Sequence, residues 1–248
     1  MHIISGVFWD KGQRTNNQDS LILEQVMTAK GRIVLAAVCD GIGGLDEGEI
    51  ASGYACEKLK TSFYEEIIPL LIKNKGRKKI KKCFYRCIYS CSELFSKYAK
   101  ERHAGLGTTV SVLLLWKRQY LLAHLGDSRI YRLKGKRISR LTNDHQRENN
   151  VLTKCLGSFG YQMPDIKCGR VRRKEGFLIC SDGFYHLVDE KLLVSVLNTK
   201  EIADKLTIDK RLKQLSVYSQ KNGETDNMTA IFLLCKKESS KGRLCKKE

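Results

Sequence analysis

Apolar residues recur along the chain in two alternating rhythms, and the alternation predicts the order of its elements. Short apolar or alternating runs at 3–10, 20–26 and 32–39 read as strands, and the last (IVLAAVC) is apolar enough to lie in a buried sheet. Two longer segments follow, 49–73 and 77–100, with Tyr54, Leu59, Phe63, Ile67 and Leu71 at helical intervals. They predict a helical hairpin with Gly76 at its turn and Lys and Arg residues at a solvated tip. Strands return at 108–116, 119–125, 128–133 and 137–139, whose short Lys-Arg and Lys-Gly connections suggest a meander. A second strand group is expected from 166–171, 177–180 and 228–235, with helices at 189–198 and 201–220 before its last member. The implied fold class is α+β, a central antiparallel β-sandwich with helices outside.

Composition narrows the class. The 248 residues are 42% hydrophobic and 29% charged, with two prolines, no long linker and no repeat, which predicts one domain over 1–236 and a charged tail over 237–248. No run approaches the roughly 18 apolar residues of a membrane span; residues 110–115 are bounded by Trp116-Lys117-Arg118. The N-terminus shows no basic segment followed by an apolar stretch, so the ten cysteines read as free thiols of a cytoplasmic, monomeric protein. Cys83, Cys87 and Cys91 share one helix face, and lacking a nearby histidine or a C-x-x-C pair they read as buried packing groups, as do Cys39 and Cys180. The net charge of +18, from 45 basic against 27 acidic residues, creates a field attractive to polyanions. Basic clusters at 73–82, 170–174 and 236–247 stand beside no zinc-finger or aromatic RNA-binding pattern, so no specific nucleic-acid partner is expected.

Chemistry is suggested by aspartates beside glycine or a small polar residue at the ends of apolar strands: Asp19, Asp40-Gly41, Asp182-Gly183 and Asp226-Asn227. Rigid strands would hold the carboxylates, and oxygen donors suit hard cations such as Mn²⁺ and Mg²⁺. Two such ions sharing a water would make a nucleophile for a phosphoester. Each motif alone is a common turn signal.

Taken in order, the motifs resemble the PP2C-like (PPM) family of metal-dependent protein serine/threonine phosphatases, especially its compact bacterial members. The resemblance runs through Arg14-Thr15-Asn16-Asn17-Gln18-Asp19, Val38-Cys39-Asp40-Gly41-Ile42-Gly43-Gly44, Gly107-Thr108-Thr109, Gly126-Asp127-Ser128-Arg129 and Leu141-Thr142-Asn143-Asp144-His145. It continues through Asn150-Val151-Leu152-Thr153, Leu156-Gly157, Cys180-Ser181-Asp182-Gly183 and Asp226-Asn227-Met228-Thr229. It implies two face-to-face antiparallel sheets flanked by helical hairpins in α-β-β-α order, with a dinuclear Mn²⁺ or Mg²⁺ centre at one end. By the same matching, Asp40 bridges both ions, the Gly41 carbonyl ligates one, Asp182 and Asp226 hold the other, and Asp19 supports the cluster through water. Asp127, with Asp182, would bind a third and weaker ion, and Arg14 would bind the substrate phosphate, with a surface salt bridge as its alternative. The implied substrates are phosphorylated proteins, and a cognate serine/threonine kinase is the partner suggested by analogy.

The chain departs from the pattern in three places. Gln18 replaces a frequent glutamate, Ile42 stands where some members carry a histidine acid, and only residues 146–149 separate His145 from Asn150. That interval is too short for the helical flap of compact relatives and predicts a tight loop beside a more open cleft. His145 is read as fixing its loop rather than as the acid, and His124 as structural. Two alternatives remain: a catalytically weak or silent relative that binds phosphoprotein, and a regulatory phosphatase acting on anti-sigma-factor antagonists, for which attached sensor domains would be expected.

Overall fold

A computed structural model describes residues 2–42, 47–103, 105–147, 151–157 and 160–236. The chain opens with strands β1 (His2–Asp10), β2 (Asp19–Thr28) and β3 (Gly31–Asp40). Helix α1 (Gly48–Ser62) then runs through a π-helical segment, Phe63–Ile67, into α2 (Ile68–Ile72), and α3 (Arg77–Arg102) returns beside it with Gly76 at its N-cap, giving the expected hairpin. Strands β4 (Gly107–Thr108), β5 (Val110–Trp116), β6 (Gln119–Leu125), β7 (Arg129–Lys134), β8 (Arg137–Arg140), β9 (Leu156–Gly157), β10 (Asp165–Arg170) and β11 (Glu175–Cys180) follow. The chain then forms α4 (Asp182–Tyr185), α5 (Glu190–Val196) and α6 (Lys205–Lys221) before β12 (Met228–Lys236). The tail expected over 237–248 lies outside the described residues.

Two five-stranded antiparallel sheets are ordered β1-β12-β11-β7-β8 and β10-β6-β5-β3-β2. They pack through Val34, Val38, Leu113 and Leu122 on one side and Phe177, Ile179, Ile231 and Leu233 on the other, all buried. The opposite face of the second sheet takes the α1–α3 hairpin, whose Phe63, Ile80, Phe84, Ile88 and Phe95 recur at helical spacing. The first sheet takes α4–α6 through Phe184, Leu193, Ile208, Leu212 and Leu215. Both faces of each sheet are thus covered, which explains why β3 reads as an unbroken apolar run. Among the described residues no helix is long and apolar enough to cross a membrane. Cys83, Cys87, Cys91, Cys39 and Cys180 are buried in these layers as free thiols.

Two strand groupings differ from the sequence expectation. The meander is divided, for β5 and β6 lie in one sheet while β7 and β8 lie in the other. The crossing happens at Gly126, whose φ of +103° is a conformation that side-chain-bearing residues rarely adopt, and where a Cβ would come 2.5 Å from Thr109 Cγ2. Likewise β10 pairs with β6, register Ile166↔Ala123, rather than with β11 and β12. The local apolar rhythm reports that a strand is buried and is silent on its neighbour.

Gly126→Ala combines backbone strain with overpacking and is expected to destabilise the protein by about 2–4 kcal/mol in urea unfolding. A change below about 0.5 kcal/mol would show that the crossing does not depend on glycine.

Candidate metal centre

Strand pairing builds the site. In the β2–β3 ladder Asp19 lies directly opposite Asp40, at the end of the sandwich where β3 finishes and β2 begins. Across the sandwich, β11 ends at Cys180 and Asp182 opens α4, while Asp226 precedes β12 with only Asn227 between them. The aspartates therefore sit at both kinds of strand end: Asp40 closes β3 and Asp182 follows β11, whereas Asp19 opens β2 and Asp226 lies ahead of β12. Arg14, Asp40, Gly41, Asp127, Asp182 and Asp226 line one cavity of about 530 Å³ together with Gln18 and Ile42. Asp19 does not line it; it is buried behind Asp40. Gly43, Gly44 and Asn150 lie outside the described residues.

The segments that carry these side chains are fixed by hydrogen bonds from parts of the chain distant in sequence. The Asp40 N–H donates to Thr109 Oγ1 at 3.0 Å, and its carbonyl accepts the Thr108 hydroxyl at 2.9 Å and the Thr109 N–H at 2.8 Å. The Ser181 hydroxyl donates to Asp19 Oδ2 at 2.8 Å while accepting the Thr229 N–H at 3.0 Å, so one serine ties Asp19 of one sheet to the β12 strand of the other. Asn227 accepts the Gln18 N–H at 2.8 Å and donates to the carbonyls of Lys11 and Asn16, stapling the loop that carries Arg14 to the turn that carries Asp226. The Asp127 carbonyl accepts the Tyr185 hydroxyl at 3.0 Å, and Arg129, paired with Asp144 at 2.6 Å, covers the Tyr185 ring at 3.7 Å. Thr108, Thr109, Ser181 and Asn227 belong to the motifs, but nothing in their spacing announces these bonds. Tyr185 carries no sequence signal at all.

Arg14 Nη2 lies 2.8 Å from Asp226 Oδ2, in an ion pair whose side chains are 53% and 36% exposed. Pairing at that exposure adds little stability, which leaves the guanidinium free to exchange partners. Among the described residues its other guanidinium N–H groups have no hydrogen-bond partner, and the residue lines the cavity. His145 does not line the cavity. Its Nδ1 accepts the Gly126 N–H at 3.2 Å, its Nε2 is 3.3 Å from Asp165, and its ring stacks on His124, which fits the loop-fixing role. After it Gln146 is bridged to Leu152, the Arg147 N–H donates to the Val151 carbonyl at 2.9 Å and the Thr153 N–H donates to the His145 carbonyl at 2.7 Å; the loop expected between His145 and Asn150 falls partly on residues 148–150, which lie outside the description.

The carboxylates are electrostatically unfavourable company. Burial raises Asp40 well above the usual carboxylate range, and Asp19, Asp182 and Asp127 add to the shift. Burial and then Asp226 raise Asp182, burial and then Asp182 push Asp127 up to about 7, and burial takes Asp19 to about 6. Oδ1 of Asp19 is buried without a hydrogen-bond partner. A Cβ at Gly41 would come 2.4 Å from the Gly48 carbonyl oxygen, so the backbone beside Asp40 approaches more closely than any side chain would allow. Among the described residues no three His, Cys, Asp or Glu side chains close into a cage, so the carboxylates line the cavity as a spread-out set. An all-oxygen set of excess negative charge with an unpartnered buried oxygen fits hydrated, hard divalent cations.

The family profile described as Protein phosphatase 2C matches residues 11–232, and the chain belongs to that family. Fold and family together define an enzyme of the protein phosphatase class, as the resemblance implied. The chain is 26% identical over 256 residues to the protein phosphatase PhpP of Streptococcus pneumoniae, covering 93% of this chain and 97% of that one. A serine/threonine phosphatase of S. agalactiae superposes with a TM-score of 0.81 at 22% identity, over 95% of this chain and all of that one. The catalytic domain of the phosphatase PstP, solved in complex with two manganese ions, superposes with a TM-score of 0.72 at 22% identity, over 94% of this chain and 98% of that one.

Carboxyls raised above their unfolded value of 3.8 bind more protons in the folded state than in the unfolded one, so cation-free stability falls as pH rises towards about 7. His124, lowered to about 4, and His145, also lowered, act in the opposite sense below their ordinary value of 6.5. The window to read therefore lies between pH 6.5 and about 8. There, thermal melts in EDTA are expected to show wild-type stability falling with pH and Asp127→Asn flattening the fall. Added Mn²⁺ should stabilise the wild type most at the upper end, because cations and protons compete for the same oxygens. A wild-type melting temperature in EDTA that rose across this window would contradict the assignment.

Proposed function

We propose that this protein serine/threonine phosphatase hydrolyses phosphoserine and phosphothreonine in proteins through two Mn²⁺ or Mg²⁺ ions held by Asp40, the Gly41 carbonyl, Asp182 and Asp226. The observation that carries the reading is the convergence of Arg14 with Asp40, Asp127, Asp182 and Asp226 on one cavity at the end of the sandwich. The fold shared with a phosphatase solved with two manganese ions supports the same metal content. Bound there, such ions lower the pKa of water and offset the charge of the phosphoryl group.

The protein's own groups do the rest. Asp40, clamped by Thr108 and Thr109, and Asp182, at the head of α4, present oxygens from opposite sheets towards a shared space. Asp19 stays behind them and holds water at the floor of the cluster, with one oxygen fixed by Ser181 and one free. Arg14 takes the phosphoryl oxygens with the N–H groups that Asp226 does not use, since a guanidinium fork matches phosphate geometry. Asp127, beside Asp182 on the same cavity, offers a further and weaker cation position. Val151, Leu152 and Thr153 line one side of the cavity in place of a helical flap, which leaves the cleft accessible to varied phosphopeptides.

Phosphate release from a phosphothreonine peptide is expected to require Mn²⁺ or Mg²⁺, to stop in EDTA and to survive thiol alkylation. Asp40→Asn and Asp182→Asn should each lower turnover by about two orders of magnitude or more with folding retained. Arg14→Ala should chiefly raise KM, and Arg14→Lys should recover part of the loss, since lysine keeps the charge without the fork. Activity that persisted in excess chelator would remove the metal mechanism, and an unchanged KM in Arg14→Ala would return that residue to a surface ion pair.

A further inference from the structure

The far end of the sandwich has the opposite electrostatic character. Strand β11 leaves it at Glu175 and β12 reaches it at Lys236, with Glu175 paired to Cys235 and Gly176 to Leu133. Six residues of β11 separate this end from the carboxylates, roughly 20 Å at strand rise. A cavity of about 570 Å³ opens here, where the β10–β11 turn, the connection between α5 and α6 and the end of β12 meet. Its rim carries Arg173, Lys174, Lys200 and Lys236, and Ile202 and Leu234 lie in its wall, both buried.

The neighbouring acids are already engaged: Asp204, exposed and within electrostatic reach of Lys236, accepts the Thr207 N–H at 2.8 Å as the cap of α6. Glu201, the one carboxylate of the lining among the described residues, lies 3.2 Å from Arg211. Glu175 is buried, 2.6 Å from Arg132, and accepts the Arg172 N–H at 2.7 Å. Lys236 Nζ donates to the Ala203 carbonyl, which fixes its position without reducing its charge. Among the described residues Arg173, Lys174 and Lys200 form no ion pair, and all three are exposed. Lys174 also sits at a φ of +59°, where glycine or asparagine is the usual occupant, so the turn holds a charged residue at some backbone strain. An adjoining cavity of about 350 Å³, lined by Lys134, Arg137 and Arg172, extends the same positive surface.

We propose that this far-end cavity binds a small phosphate-bearing anion, whose phosphoryl oxygens meet Arg173, Lys174, Lys200 and Lys236. Its volume falls within the ~300–1,000 Å³ usual for small-molecule sites, with an apolar wall and a few polar groups at the rim. Four cations from three segments surround this one concavity, an arrangement that suits a compact anion; binding to a lipid surface is a competing outcome of the test below. Three lysines and an arginine around a single hollow suit a multiply charged group better than a lone carboxylate. The site is remote from the candidate metal centre, and the proposal does not depend on the reaction performed there.

The test is isothermal titration of the full chain with ATP and, separately, with inorganic pyrophosphate, in EDTA so that no divalent cation bridges the anion to the carboxylate cluster. ATP should bind saturably with a Kd on the order of 10–500 µM, and pyrophosphate should bind at the same site. The double substitution Arg173→Glu, Lys200→Glu should weaken binding at least about tenfold, and Arg173→Gln, Lys200→Gln should weaken it less, a graded series that also serves if charge reversal impairs folding. Asp40→Asn should leave the affinity unchanged. Absence of saturation at millimolar anion, or affinity indifferent to the Arg173 and Lys200 substitutions, would overturn the proposal. So would affinity lost in Asp40→Asn, or retention on phosphatidylserine vesicles through these residues without binding of either small anion.

Discussion

Mutual repulsion among buried carboxylates is the constraint around which one end of this molecule is organised. Asp19 and Asp40 face each other across a strand ladder, and Asp182 and Asp226 approach them from the opposite sheet. Left to themselves these groups would push the two sheets apart or take up protons; burial first, and the neighbouring carboxylates second, raise Asp40, Asp127 and Asp182. The opposing force is the apolar layer between the sheets, where Phe177, Ile179, Ile231 and Val38 are fully buried. At ~25 cal/mol per Å² of apolar area buried, such a layer outweighs the cost of keeping several carboxyls in poor surroundings.

Positioning then falls to neutral donors, since none of Thr108, Thr109, Ser181, Asn227 and Tyr185 carries charge. A charged partner at each aspartate would neutralise the oxygens that a cation needs, whereas hydroxyls and amides fix the backbone and one oxygen and leave the excess charge in place. Arg14, the one cation at the cavity among the described residues, pairs at the exposed rim with one oxygen of Asp226. That arrangement suits a guanidinium meant to meet another anion.

Much of this was visible in the chain before any fold was known. Residues 32–39 read as a buried strand because both faces of β3 are covered, and the α1–α3 hairpin declared itself through Phe63, Leu59 and Ile67. The aspartates were legible because carboxylate beside glycine at a strand end is a local pattern. Sheet membership was not, for β10 and the β6–β7 crossing are settled by a pairing 40 or so residues away and by the backbone angle of Gly126. The supporting donors were hidden for the same reason: the Ser181 bond to Asp19 spans 162 residues and the Asn227 bond to Gln18 spans 209, distances over which spacing carries no information.

The excess of positive charge can now be placed. A net +18 would be expected to draw phosphorylated proteins towards the cleft, but screening limits how far surface charges act, with a Debye length of ~8 Å at physiological ionic strength. The cations around Arg173 and Lys200 stand roughly 20 Å from the carboxylate cluster along β11, more than two such lengths. They cannot appreciably offset its charge or guide a phosphate group through its final approach. That step rests on Arg14, which lies on the cavity itself. The basic far end must therefore act on whatever binds it directly, so the two ends of the sandwich are separate electrostatic devices rather than one graded field.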